Sequence, residues 1–132
     1  MEEDLDQALQ VDVLIASMKA DHREATDALE YLAKMLEQAL PESTTVKRGG
    51  WFMAKEHPVE ELTVRFDDFH YQIVREKHGS FTARAMKIVR GVVLKTTEIP
   101  LNECIDNILQ SLAALAQKNA QARRALNKFV LG

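Results

Sequence analysis

The spacing of hydrophobic residues changes twice along this chain, and that double change limits the fold more than any other feature. Over residues 22–40, Ala25, Ala28, Leu29, Leu32, Leu36, Ala39 and Leu40 recur at the 3.6-residue helical period, and Pro41 ends the run. Asp21 is placed to cap this helix, with Glu24 three residues on in a capping-box pattern. From residue 44 to 99 the period falls to two. Over residues 61–66, Leu62, Val64 and Phe66 fall on one side and Thr63 and Arg65 on the other. Asp67-Asp68 turns the chain into residues 69–75, where Phe69, Tyr71 and Ile73 continue the apolar face while His70 and Gln72 point away. His78-Gly79-Ser80 and Arg90-Gly91 mark two further hairpins, which join strands over 81–89 and 92–99. Residues 44–48 form a short additional strand candidate, stopped by Gly49-Gly50. After Pro100 the helical period returns, with Leu101, Ile105, Ile108, Leu109, Leu112, Leu115, Ala116, Ala122, Leu126, Phe129 and Val130 on one stripe.

Short local connections of this kind predict an α+β fold: an antiparallel sheet of four or five meander strands, with an N-terminal and a long C-terminal helix packed on one face. Nothing repeats, and no Pro/Gly/Ser-rich linker separates two units, so residues 1–132 read as a single domain. It comprises a helix over 22–40, a sheet over 44–99 and a helix over 101–131. Residues 1–20 are an N-terminal helical segment. Leu5, Ala8, Leu9, Leu14, Ile15 and Met18 suit a helix over 4–18, which either runs into the next or stands apart as an appendage.

A chain of 132 residues with 46% hydrophobic and 28% charged residues is large and apolar enough to hold a core. No apolar run approaches the roughly 20 residues of a membrane span, and the acidic start provides no secretory n-region. One cysteine excludes a disulfide within the chain and any multi-cysteine metal site, so a cytoplasmic protein is expected. The net charge of −3 conceals an asymmetry. Residues 1–42 hold eleven Asp and Glu against three Lys and Arg, whereas residues 43–100 hold ten Lys and Arg against seven acids. This pattern fits either internal complementarity or a binding surface. A pI near 5.8 counts against a dedicated nucleic-acid binder.

Chemistry-bearing motifs are sparse. Gly49-Gly50 lies between strand candidates rather than before a helix, so it makes a loop and not a phosphate cradle. Trp51 beside it is either a partner-gripping anchor or a lid over an open sheet edge. His22, His57, His70 and His78 lack the spacing of metal ligands, and Asp67 and Asp68 are explained by their turn. Cys104 borders the helical stripe as a small apolar residue rather than a nucleophile. No catalytic residue, cofactor site, metal site or small-molecule ligand is evident, and a non-enzymatic protein is expected. A small enzyme built on His70 with Asp67 and Asp68 is the least favoured reading. Lys47, Arg65, Arg84 and Lys95 form a candidate partner surface if the outward face of the sheet collects them. Such a surface is either a plain solvated sheet face, a site for an acidic protein or, as the alternative function, a site for single-stranded nucleic acid.

The lengths do not match. A helix of about 30 residues reaches roughly 45 Å, whereas seven- or eight-residue strands span about 25 Å and five of them about 24 Å across. The C-terminal helix is therefore expected to overhang its sheet, leaving Leu126, Phe129 and Val130 to be covered by the N-terminal segment or by a second chain. These three residues are the candidate self-association site, and a homodimer or another protein partner is the leading expectation.

The run from Arg84 through Ala85, Met86, Lys87, Ile88, Val89, Arg90, Gly91, Val92, Val93 and Leu94 to Lys95, followed by Glu98-Ile99-Pro100-Leu101 and an Ala-rich helix, resembles a family of small, uncharacterised cytoplasmic proteins from Gram-positive bacteria. The resemblance covers roughly residues 22–131 and rests on structural rather than catalytic motifs. It implies a bacterial single-domain α+β protein and carries no activity with it.

Overall fold

A computed structural model describes the chain at residues 22–50, 55, 57–76 and 80–131, and its side chains from 27 to 128 within those ranges. The element order is α1 (His22–Ala39), β1 (Thr44–Arg48), β2 (Val59–Arg65), β3 (Phe69–Arg75), β4 (Phe81–Val89), β5 (Val92–Ile99), α2 (Leu101–Ala116) and α3 (Ala120–Leu131). All five strands form one antiparallel sheet in chain order, so the expected α+β meander is the observed architecture. The helix expected over 4–18, the Asp21 cap, the Trp51 loop, His78-Gly79 and the side chains of Phe129 and Val130 lie outside the described residues.

Register follows the two-residue period. Leu62 faces Ile73, which faces Ala83, and Ala83 faces Ile99; Val64, Tyr71, Ala85 and Thr97 form the next row. Leu62, Val64, Tyr71, Ile73 and Ala83 are buried on this side, where α1 packs on β1 and β2 and α2 on β3 and β4. α1 contributes Leu29, Leu32, Ala33, Leu36 and Ala39 to the core, and α2 contributes Cys104, Ile105, Ile108 and Leu112. Burying each large aliphatic side chain contributes roughly 1.5–3 kcal/mol, so this layer contact dominates the stability. At the end of α1, the Thr44 hydroxyl donates to the Leu36 carbonyl at 3.1 Å and fixes the start of β1 beneath the helix. Between β4 and β5, Arg90 (φ 54°) and Gly91 (φ 79°) both take positive φ, as a two-residue hairpin matched to strand twist requires.

The single C-terminal helix expected over 101–131 is two helices. Lys118 and Asn119 both donate their backbone N–H to the Leu115 carbonyl, and the side chain of Asn119 accepts from the N–H of Ala122 at 3.1 Å. Asn119 thus stops one helix and caps the next. Arg123 reaches back from α3, its Nε donating to the Ala116 carbonyl at 2.9 Å, and satisfies an exposed helix end. With 16 residues, α2 is about 24 Å long and matches its strands. α3 packs against both α1 and α2, and Gln121 donates to the Gln38 carbonyl at 2.9 Å, so α3 begins where α1 ends. Ala122, Ala125 and Leu126 join the main core, Leu126 at 4% exposure. The expected overhang is therefore removed by a chain reversal, and Leu126 is spent inside its own chain.

Candidate interaction surface at strand β5

Among the described residues two helices cover the inner face of the five-stranded sheet, and they do so from the β1 side. β5 is left as an edge strand, exposed at every residue from Val92 to Glu98. Val92 and Leu94 are each 66% exposed and Val93 49%, next to the exposed Val89 across the hairpin. An uninterrupted apolar run at a hairpin tip is uncommon where nothing covers it. The β4–β5 register shifts between Lys87 and Ile88, so Leu94 is the extra residue of a bulge.

Beneath the hairpin, the uncovered strip of the inner face and the side of α2 enclose an open groove of about 390 Å³. Phe69, Tyr71, Ala85 and Ile99 give it apolar walls, Lys87, Lys95 and Thr97 line its β4–β5 side, and Glu103 and Asn107 project from α2. Tyr71 stacks on Phe69 with centroids 6.0 Å apart and meets Phe66 edge-on at 6.1 Å. Burial raises the Tyr71 hydroxyl above its ordinary range, and a hydrogen bond with Ser111 of α2 partly offsets this. Phe69, by contrast, is 37% exposed. Sequence reasoning missed Phe69, Lys87, Glu103 and Asn107 as a group, since only the meander and the α2 crossing bring them together.

The sequence-derived partner surface is only partly assembled. Strand alternation puts Lys47, Arg65 and Arg84 on the outward face, but Lys95 stands opposite Lys87, which stands opposite Phe69 on the helix-facing side. Lys95 therefore belongs to the groove and not to the outward surface. That surface is also less basic than expected. Lys47 lies opposite Glu61 and Arg84 opposite Glu98. Gln72 donates to Glu61 at 2.6 Å and accepts from Arg84 at 3.2 Å. Arg65 donates to Thr45 at 2.8 Å and to the Glu42 carbonyl at 3.3 Å. Both guanidiniums are thus engaged within the chain, which weakens the case for a nucleic-acid surface.

The remaining chemistry-bearing residues are dispersed. His70 lies on the outward face opposite Arg65 and Met86, away from the groove; burial and then the Arg65 charge hold its imidazole below the ordinary range. Asp68 uses its carbonyl to accept from the Ile88 N–H at 2.9 Å, and neither Asp67 nor Asp68 lines the groove. Cys104 is fully buried, and burial pushes its thiol up to about 12, which suits a core residue rather than a nucleophile. Among the described residues no group of three or more His, Cys, Asp or Glu is arranged to hold a metal ion. No described helix is long and apolar enough to cross a membrane. Compared with known proteins, the chain matches no family model, no curated protein and no solved structure.

Proposed function

We propose that the protein works in the cytoplasm by contact rather than by catalysis, and that it associates with a second copy of itself through the β5 edge. The observation that carries this reading is the exposed run Val92, Val93 and Leu94 on an edge strand that no described element covers. An edge strand offers unpaired backbone groups to another strand, and a two-fold contact lets the same patch serve both copies. Covering each of these side chains fully supplies roughly 1.5–3 kcal/mol. Lys95 and the neighbouring bulge discourage indiscriminate strand addition, which favours a closed dimer over an open fibre. Leu126, one of the three residues the sequence offered for self-association, is buried within its own chain, so this reading places the contact on the apolar run of β5 instead.

Light scattering coupled to size-exclusion chromatography tests this reading. The protein at about 100 µM is expected to elute at twice its 14.9 kDa chain mass, and Leu94→Lys at the single-chain mass with an unchanged far-UV circular dichroism spectrum. A wild-type protein that remains monomeric at that concentration overturns the proposal.

A further inference from the structure

We propose that the groove between β5 and α2 binds a small amphipathic monocarboxylate, with its apolar body on Phe69, Tyr71 and Ile99 and its anionic head between Lys87 and Lys95. Three independent observations converge there. The first is shape: a concavity of about 390 Å³ falls within the range of small-molecule sites, about 300–1,000 Å³. The second is its apolar wall. Phe69 keeps more than a third of its surface exposed although it is stacked on a buried tyrosine, so a ligand body gains apolar contact without any rearrangement of the core.

The third is charge. Lys87 and Lys95 are directly opposite each other on the same face of adjacent strands. Like charges in that position destabilise a sheet, and neither ammonium has a hydrogen-bond or ion-pair partner among the described residues. A carboxylate between them relieves the repulsion and accepts two charge-assisted hydrogen bonds, which are stronger than neutral ones. Glu103 on the α2 wall opposes a second anionic group, which selects a monocarboxylate over a dicarboxylate. The site uses side chains from the sheet face and α2, whereas edge pairing uses the outer backbone of β5. The two proposals therefore stand or fall separately.

Titration with 4-phenylbutyrate, followed by amide chemical shifts and calorimetry, tests the site, with 4-phenylbutan-1-ol as the uncharged counterpart. The expected result is saturable binding with a dissociation constant of about 1 mM or tighter. Shifts should be confined to residues 69–71, 85–87, 95–99 and 103–107. The alcohol, and 4-phenylbutyrate on the Lys87→Gln/Lys95→Gln double variant, should bind at least about tenfold more weakly. Phe69→Ala should also weaken binding, which separates a formed groove from simple ion pairing. Both lysines are exposed, so the double variant retains its fold. The proposal is overturned by an absence of saturation up to about 10 mM, by equal affinity for the alcohol, by undiminished binding in the double variant, or by shifts centred elsewhere. Measuring the mass of the same sample reports on β5 pairing independently.

Discussion

Glu30 and Arg48 show how little a single polar contact adds beside the apolar core. Arg48 at the end of β1 donates to the Glu30 carboxylate on α1 at 2.8 Å. That hydrogen bond, reinforced by the Arg48 and Lys34 charges and opposed by partial burial, holds the Glu30 carboxyl below its ordinary value of 4.5. Because the folded value is lower than the unfolded one, the stabilisation is complete above pH 4.5 and is lost as pH falls through the folded value. Both side chains are partly exposed, so solvent screening limits the pair to less than about 1 kcal/mol. Glu30→Gln should therefore lower stability at pH 7 by no more than that, and urea titrations of the two proteins should converge as the pH falls through the lowered folded value of Glu30. At this scale the sequence is informative about type and silent about partners. The alternation placed Arg65 and His70 on the outward face, but no spacing in the chain joins Glu30 to Arg48.

Element boundaries were legible wherever a period changed or a breaker intervened. Pro41, Gly49, Arg90-Gly91 and Pro100 each end an element as their backbone preferences require. The break at residues 117–119 was missed because alanine and leucine continue on both sides of it. Asn119 was the available signal, since it falls on the apolar stripe between Leu115 and Ala122 and is a strong cap former. Asn119→Ala removes the acceptor for Ala122 and should lower stability by about 1 kcal/mol, read as a shift in the urea midpoint at constant slope. Asn119→Ser or Asn119→Asp should restore most of the loss, because both keep a side-chain oxygen at the cap.

At the scale of the whole molecule, the turn at Asn119 decides which surfaces the chain covers and which it leaves open. Folding α3 back onto α1 and α2 places Leu126 in the core, so Leu126→Ala should cost about 2–5 kcal/mol. The loss should appear in thermal or urea unfolding and be independent of protein concentration, as a monomer-core residue demands. Among the described residues, the same reversal limits the layer over the sheet to two helices on β1–β4, and none of them covers β5 and its groove. The sequence by itself determined the α+β class, the meander order of the strands and the two faces of β2 and β3. Each of these follows from local period and short turns, which act within a few residues of their cause. Only the tertiary structure decided that Ala122, Ala125 and Leu126 are internal, that Lys95 stands beside Lys87, and that β5 carries an apolar run which no described element covers. Those outcomes depend on which helix reaches which strand, and that is set by packing between residues far apart in the chain.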